Sequence, residues 1–263
     1  MNRDALQNML EQSQKTVAFT GAGISAESGI PTYRGAGGMW NVYDPDKYAN
    51  IEYFYKDPSY YWQFFRDVRY PSLREARPNQ AHQALASLQK MGFSQVVITQ
   101  NIDGLHQAAG SDNVLELHGS TRVYTCMQCK ECYSFHEAFE LVQASIPPAC
   151  LKCGGMIRPG TVMFGEKLPM QVLQEAEESA LQAGLFICIG SSLVVQPAAS
   201  FPVLAKQNGA NLVIINKDQT PLDDMADLVY RQNASEVLVP VVQALEQKTC
   251  RNRSFYLEGI CRS

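Results

Sequence analysis

The sequence predicts an α/β protein: a Rossmann-like parallel sheet with helices on both faces, plus a small zinc-ribbon and helical module. Three observations predict it. Short, uninterrupted apolar runs recur at residues 17–19, 96–99, 185–189 and 212–215, and runs without alternation suit strands buried on both faces. Amphipathic stretches of helical spacing separate them, the alternation of a covered parallel sheet. One window, about 120–159, breaks that alternation and holds two C-x-x-C pairs.

Taken in order, residues 4–14 read as a short helix with Leu6, Met9 and Leu10 facing inward. The run 17–19 passes straight into Gly21-Ala22-Gly23-Ile24-Ser25-Ala26. Glycines after a strand let the backbone turn tightly and approach a pyrophosphate at a helix N-terminus. Residues 43–69 are crowded with aromatics, among them Tyr53, Phe54, Tyr60, Tyr61, Trp62, Phe64 and Phe65, and read as short helices packed on the core. Asn79 caps a helix that Gly92 stops. The run 96–99 ends in Gln100-Asn101-Ile102-Asp103, and the run 114–117 ends in His118-Gly119. After the cysteine window, Pro169 opens a helix to Gln182, the run 185–189 ends in Gly190-Ser191-Ser192, residues 197–207 are helical, and the run 212–215 ends in Asn216-Lys217-Asp218. A short strand near 228–230 and a helix from Ser235 to about Gln247 close the domain.

The expected division assigns 1–35, 81–119 and 160–248 to the sheet domain. A helical insertion, 36–80, and the zinc module, 120–159, form the small domain, and 249–263 is an extension without a clear pattern.

The chain is 46% apolar and 18% charged, the composition of a soluble globular protein. A net charge of -4 and the lack of basic runs argue against a nucleic-acid or anionic-membrane partner. No apolar run approaches the roughly 18 residues of a membrane span, and the polar N-terminus lacks the apolar core of a signal peptide. A cytoplasmic monomer is the expectation, with an organellar matrix as the second location.

Of eight cysteines, five fall at Cys126, Cys129, Cys132, Cys150 and Cys153. Cys126-x-x-Cys129 and Cys150-x-x-Cys153 have the spacing of a four-thiolate zinc ribbon. A register using Cys129 and Cys132 is also conceivable. The first is preferred because its leading pair lies nearer the strand-like 122–124, leaving Cys132 a spare thiol. Four thiolates fill a tetrahedral sphere, so the metal is expected to be structural. Among four histidines, His82 and His136 read as structural or surface residues. His118, at a strand end beside a glycine and near other polar strand ends, is the candidate general base, because a neutral imidazole can take a hydroxyl proton at physiological pH.

Residues 21–34, 99–106 and 116–119, the paired C-x-x-C, Met163-Phe164-Gly165-Glu166 and Gly190-Ser191-Ser192-Leu193 together resemble the sirtuin family, in the family's order and over about 16–245. The resemblance implies NAD and an acyl-lysine peptide meeting in a cleft between the two domains. It implies an NAD site formed by Gly21, Ala22, Gly23, Glu27, Arg34, Gln100, Ser191, Asn216 and Ala234, completed by Ser25, Tyr33, Trp40, Ile102, Gly190, Ser192, Lys217 and Asp218. Asn101 and Asp103 would hold the nicotinamide end and His118 would be the base. Val162, Met163, Phe164 and Gly165, with Leu193, Val194 and Val195, would flank the peptide as strands. The implied reaction is acyl transfer to ADP-ribose with release of nicotinamide.

Two departures stand out: Tyr33 replaces the family's usual Phe, and Met163 a frequent aromatic. Several segments look most like the branch that removes succinyl and malonyl groups, which binds the acyl carboxylate with a Tyr and an Arg three residues later. Here Phe65 and Val68 take those places, so an uncharged pocket preferring acetyl or longer apolar acyl groups is expected, with Arg66 or Arg69 still able to reach in. Competing readings are a mono-ADP-ribosyltransferase on the same fold, an NAD-dependent dehydrogenase, and a non-enzymatic zinc-ribbon adaptor. The dehydrogenase needs an acid about twenty residues after the glycines at the end of a strand. Asp44 and Asp46 have the count but fall in the aromatic insertion.

Overall fold

The computed structural model describes residues 3–35 and 37–260; Met1, Asn2, Ala36 and residues 261–263, with Cys261, lie outside the described residues, as do the side chains of Arg3 and of 250–260. In chain order the strands are β1 (Thr16–Thr20), β2 (Val96–Thr99), β3 (Val114–Glu116), β4 (Gly119–Cys126), β5 (Cys132–Ser134), β6 (Ile157–Thr161), β7 (Leu185–Ile189), β8 (Asn211–Ile215) and β9 (Leu228–Tyr230). Six form one parallel sheet in the order β3-β2-β1-β7-β8-β9. The chain winds outward from β1 in one direction, then returns to β7 and winds the other way. The crevice between β1 and β7 is therefore the switch point where ligands of open α/β sheets collect.

Both faces of that sheet are covered, which is why its strands are apolar on both faces and polar chiefly at their ends. On one face Ala18, Val97, Ile187 and Val213 pack against Leu6 and Leu10 of helix Arg3–Gln12, Leu85 and Leu88 of helix Gln80–Lys90, and Leu238 and Val241. On the other, Phe19, Ile98, Phe186 and Ile214 pack against Ala176 and Ala180 of helix Met170–Leu181 and Phe201 and Ala205 of helix Ser200–Gln207. Asn79 caps its helix through a capping box, accepting from the His82 amide while its own amide donates to His82 Nδ1.

The small antiparallel sheet β5-β4-β6 shares one core with the aromatic insertion. Phe54, Tyr61, Trp62, Phe65 and Tyr70 pack with Tyr124, Tyr133, Cys126, Cys150 and Ile157. Phe54, Tyr61, Trp62, Phe64 and Phe65 of the insertion are thus buried packing residues, as the helical reading expects. The insertion folds as helices Pro45–Tyr48, Ile51–Lys56, Ser59–Phe64 and Tyr70–Glu75, with a π turn at Phe65–Arg69 between the last two.

Two expectations change. The final helix begins at Ala234 and runs to Ile260, well past Gln247, because no glycine or proline interrupts 241–258. Helix Ser200–Gln207 starts three residues after Pro197, whose carbonyl instead accepts from Ser200 Oγ at 2.7 Å. No described helix is long and apolar enough to cross a membrane.

Candidate active site

A cleft of about 570 Å³ opens at the carboxyl ends of β1, β2, β7 and β8. Its polar wall comes from the strand-end segments. Gly21 N–H donates to the Ile189 carbonyl (3.0 Å) and Gly23 N–H to the Gly190 carbonyl (2.8 Å), so the turn after β1 is seated on the end of β7. A Cβ on Gly23 would sit 2.7 Å from Gly190 Cα. Glycine is therefore required here for backbone packing, a reason additional to ligand approach. The helix after this turn, Ala22–Ser28, is a seven-residue 3-10 segment, shorter than the helix expected there.

Asn101 is the hub of a buried network. Its Nδ2 donates to the Gly21 carbonyl (3.2 Å) and to Ser25 Oγ (3.1 Å), and its amide donates to Thr99 Oγ1 (3.0 Å). Ser25 Oγ donates to Asp103 Oδ2 at 2.7 Å, and Leu105 N–H donates to Asp103 Oδ1 at 2.9 Å. Burial pushes the Asp103 carboxyl above its ordinary value. Gln100 Nε2 donates to Ser191 Oγ at 2.8 Å, tying the end of β2 to the end of β7. Behind this layer lie two buried histidines. Thr20 Oγ1 donates to Thr99 Oγ1 (2.8 Å), so His106 Nε2 must donate to Thr20 (2.9 Å). Burial lowers His82 to about 4 and His106 to about 3, so both are neutral.

His118 stands in the two-residue turn between β3 and β4. The Gln100 carbonyl, 2.8 Å from its Nδ1, can only accept, so Nδ1 carries the proton and Nε2 keeps its lone pair. Burial first, and then the Arg34 charge, holds the imidazole below its ordinary value, against the opposing bond to Gln100. His118 lines the cleft. The arrangement is that of a neutral, oriented base.

The opposite wall is aromatic. Tyr33 and Trp40 lie 5.0 Å apart, Trp40 and Phe64 5.9 Å, and Trp40 and Phe164 6.4 Å between ring centroids. Val162, Met163, Phe164, Gly165 and Val195 line the same cleft, as do Ala22, Arg34, Ile102, Ser192, Asn216, Lys217, Asp218 and Ala234.

Three expected site residues lie outside this lining. Glu27 accepts from Ser235 Oγ at 2.6 Å, at the start of the final helix. Leu193 has φ +55° and turns into the core, 4% exposed. Val194 faces a shallow outer groove with Leu193. Neither segment expected as a strand lies in a ladder, and the second is broken by left-handed Leu193: in the first, Phe164 makes a single bridge with Asn50, its amide donating to Ala49 and its carbonyl accepting from Ile51. Val162 N–H donates to the His118 carbonyl and Met163 N–H to Glu166 Oε2, so these groups are engaged without a peptide. Glu166 itself is held by a bidentate bond from Arg158, 3.0 Å on each arm. The cleft also includes Phe64, Thr161, Gln232 and Asn233, which the sequence does not assign to it, and Arg69, which it allows to reach in; none belongs to a strand-end motif of the main sheet's first four strands.

Away from the cleft, the Sγ atoms of Cys126, Cys129, Cys150 and Cys153 lie within 4.8 Å of one another. Cys126 and Cys153 are 3.5 Å apart and Cys129 and Cys150 3.6 Å, close to the edge of about 3.8 Å that a tetrahedral ion with Zn–S of about 2.3 Å requires. These four sulfurs could hold a zinc ion. Cys132 is exposed and its thiol points to the Lys130 carbonyl at 3.5 Å.

The chain is 46% identical over 255 residues to an NAD-dependent protein deacetylase of Sulfurisphaera tokodaii, covering 97% of this chain and all of that one. It is 46% identical to NAD-dependent protein deacylase 1 of Archaeoglobus fulgidus, covering 91% and 96%. Among solved structures, a Sir2 protein with a deacetylated p53 peptide and 3'-O-acetyl-ADP-ribose superposes with a TM-score of 0.90 at 40% identity, over 93% of this chain and 98% of that one. The Sir2 family profile matches residues 21–197, a span that opens on the glycine turn and closes beyond Val195, and the chain therefore belongs to the Sir2 family.

Proposed function

We propose that this protein is an NAD-dependent protein-lysine deacylase that transfers the acyl group to ADP-ribose and releases nicotinamide. The observation that carries the reading is His118: a neutral imidazole whose proton is fixed on Nδ1, leaving Nε2 basic in the wall of the cleft. NAD, as co-substrate, supplies the electrophilic ribose carbon and carries the acyl group away. Every other task falls to side chains. Gly21, Ala22, Gly23, Gln100, Ser191 and Asn216 bind the dinucleotide along the strand ends. Asn101 and Asp103, locked together through Ser25, hold the nicotinamide end. Tyr33 and Trp40 exclude water from the reacting carbon. His118 removes a proton from a ribose hydroxyl so that it can attack the activated acyl carbon. Val162, Met163, Phe164, Gly165 and Val195 receive the acyl-lysine, while Arg158 and Glu166 fix that edge. The four-cysteine cluster holds structural zinc, which keeps the aromatic wall in place and has no open coordination position for chemistry.

Two features support this over a dehydrogenase. Asp44 caps the short helix Pro45–Tyr48 by accepting from Asp46 N–H at 3.0 Å, and neither acid ends a strand. The base is an oriented imidazole next to polar groups suited to a ribose. The decisive assay is nicotinamide release with and without an acetyl-lysine peptide, with the products weighed by mass spectrometry. Peptide-dependent release with acyl-ADP-ribose is the expected result. Release without peptide, with ADP-ribose attached to protein, would overturn the reading in favour of a transferase.

A further inference from the structure

We propose that Arg231 is a positioning residue for the adenosine end of the cofactor site, acting through Asn216 to give that site its acceptor for a ribose hydroxyl. The inference rests on the NAD-dependent reading and names a determinant of that same site. The strand ends that build the polar wall follow the sheet order β2, β1, β7 and β8. Asn101 and Asp103, just after β2, hold the nicotinamide end, and the glycine turn after β1 is seated on β7. A dinucleotide laid across these ends brings its adenosine to the end of β8, three strand spacings or about 14 Å from β2. The segment there is Asn216-Lys217-Asp218, which lines the cleft together with Gln232, Asn233 and Ala234.

Arg231 joins these two segments from behind, directly after β9 and outside the lining. Its Nη1 donates to the carbonyls of Asn216 (3.2 Å) and Asp218 (2.9 Å), and its Nη2 pairs with Asp223. Asp223 is itself fixed, accepting from the Thr220 hydroxyl at 2.7 Å and the Thr220 amide at 3.1 Å. One planar fork thus serves two carbonyls and a carboxylate, a geometry that a lysine ammonium does not reproduce. Within the turn, Asn216 Nδ2 donates to the Asp218 carbonyl at 2.8 Å. A carbonyl only accepts, so the Asn216 amide keeps its nitrogen toward the turn and presents Oδ1 on its other side. That oxygen is an acceptor, matched to the hydroxyls of a ribose. By fixing the Asp218 carbonyl, Arg231 fixes which way the Asn216 amide faces. The pair of Arg231 with Asp223 is partly exposed, and such pairs contribute little to folding, so losing Arg231 should be felt at the turn and not through the fold.

The test measures binding by calorimetry, without turnover, for NAD and for an NAD analogue whose adenosine ribose lacks both hydroxyls. The wild-type protein is expected to bind the analogue on the order of tenfold more weakly, the worth of one well-made hydrogen bond. Arg231→Met should weaken NAD by a similar factor and the analogue hardly at all, the non-additivity of groups that act through one another. In the peptide-dependent assay the same variant should raise the KM for NAD without lowering kcat or changing the peptide KM. Its thermal midpoint should fall by no more than about 4 °C. Arg231→Lys keeps a partner for Asp223 but cannot serve both carbonyls. It should fall between the two, and it decides the matter should Arg231→Met fail to fold. Equal losses on NAD and on the analogue, or wild-type affinity for NAD in the variants, overturn the positioning role. A wild-type protein that binds no NAD overturns the NAD-dependent reading itself.

Discussion

The two walls of the cleft are built on different physical principles. The strand-end wall hangs from a sheet covered on both faces. Its polar groups are oriented by hydrogen bonds that run from Thr20 and Thr99 through Asn101 to Ser25 and Asp103. The opposite wall belongs to a small domain of stacked aromatics, exemplified by Tyr70 and Phe139 at 3.6 Å, drawn together around four thiols. The first wall is rigid because its apolar strands cannot shift without opening the main core. The second packs around an aromatic core that includes Trp62, Phe65 and Tyr124, and its small sheet is expected to depend on a metal clip at the four thiols. Chemistry should therefore fail through the first wall and acyl-peptide binding through the second.

The largest expected effect tests the clip. In zinc-finger peptides structural zinc is worth about 10–16 kcal/mol of apparent binding energy, more than a small domain can otherwise muster. Cys150→Ser should lose bound zinc and all turnover. Amide exchange should become fast through β4, β5 and β6 while β1, β2, β7 and β8 stay protected. Uniform loss of protection in both sheets would break the comparison, because it would make the walls one cooperative unit.

The next effect belongs to the strand-end wall. His118→Ala should lower kcat by about 10²–10⁴, the usual contribution of a positioned general base, with no change in zinc content. Retention of wild-type kcat would remove His118 from the mechanism. In the unaltered enzyme, kcat/KM should fall only below the ordinary imidazole value near 6.5, because burial holds His118 low. An acid limb centred above 6.5 would contradict the burial argument.

A smaller effect lies beneath the same wall. His82 and His106 are held neutral in the fold, at about 4 and about 3, and titrate near 6.5 when unfolded. Their folded values are depressed, so the unfolded state binds the extra protons as pH falls. Stability is flat above about 6.5 and declines below it, down to about 4. Each imidazole contributes a slope of about 1.4 kcal/mol per pH unit in that window. Urea midpoints from pH 7 to pH 4.5 would check the slope. His106→Asn should remove roughly half of it, and a midpoint that rises on acidification would reverse the sign and sink the argument.

How much of each wall could be read in the sequence depends on the same contrast. The strand-end wall was legible because buried parallel strands must be apolar throughout, and the polar residues then mark their ends. Residues 16–20, 96–99 and 185–189 left little freedom. The left-handed turn that takes Leu193 into the core is not signalled by residue type. Glu27, expected in the NAD site, is instead engaged by Ser235, a partner 208 residues away that no local pattern signals. The aromatic wall was half legible. Its buried rings were readable as packing, but the π turn consumes one residue without any sequence mark, and that single residue decides whether Val68 or Arg69 reaches the cleft. Helical counting was sound in rule and wrong in register.

The smallest expected effect separates the two cysteine registers. A zinc ribbon using Cys129 and Cys132 would require the Cys132 thiol within the sulfur cluster. It is instead exposed and turned toward the Lys130 carbonyl, at a residue with φ +64°. That left-handed turn carries the chain from the first cysteine pair into β5, where Cys132 pairs with Thr125 and is directed away from the metal position. Cys132→Ser should therefore keep one zinc per chain and change stability by no more than about 0.5 kcal/mol, the range of a surface substitution away from special features. Cys126→Ser should release zinc. Metal content by atomic absorption and the thermal midpoint of both variants decide the matter. The reverse pattern, with zinc lost on Cys132→Ser and kept on Cys126→Ser, would move the clip by one C-x-x-C step and the aromatic wall with it.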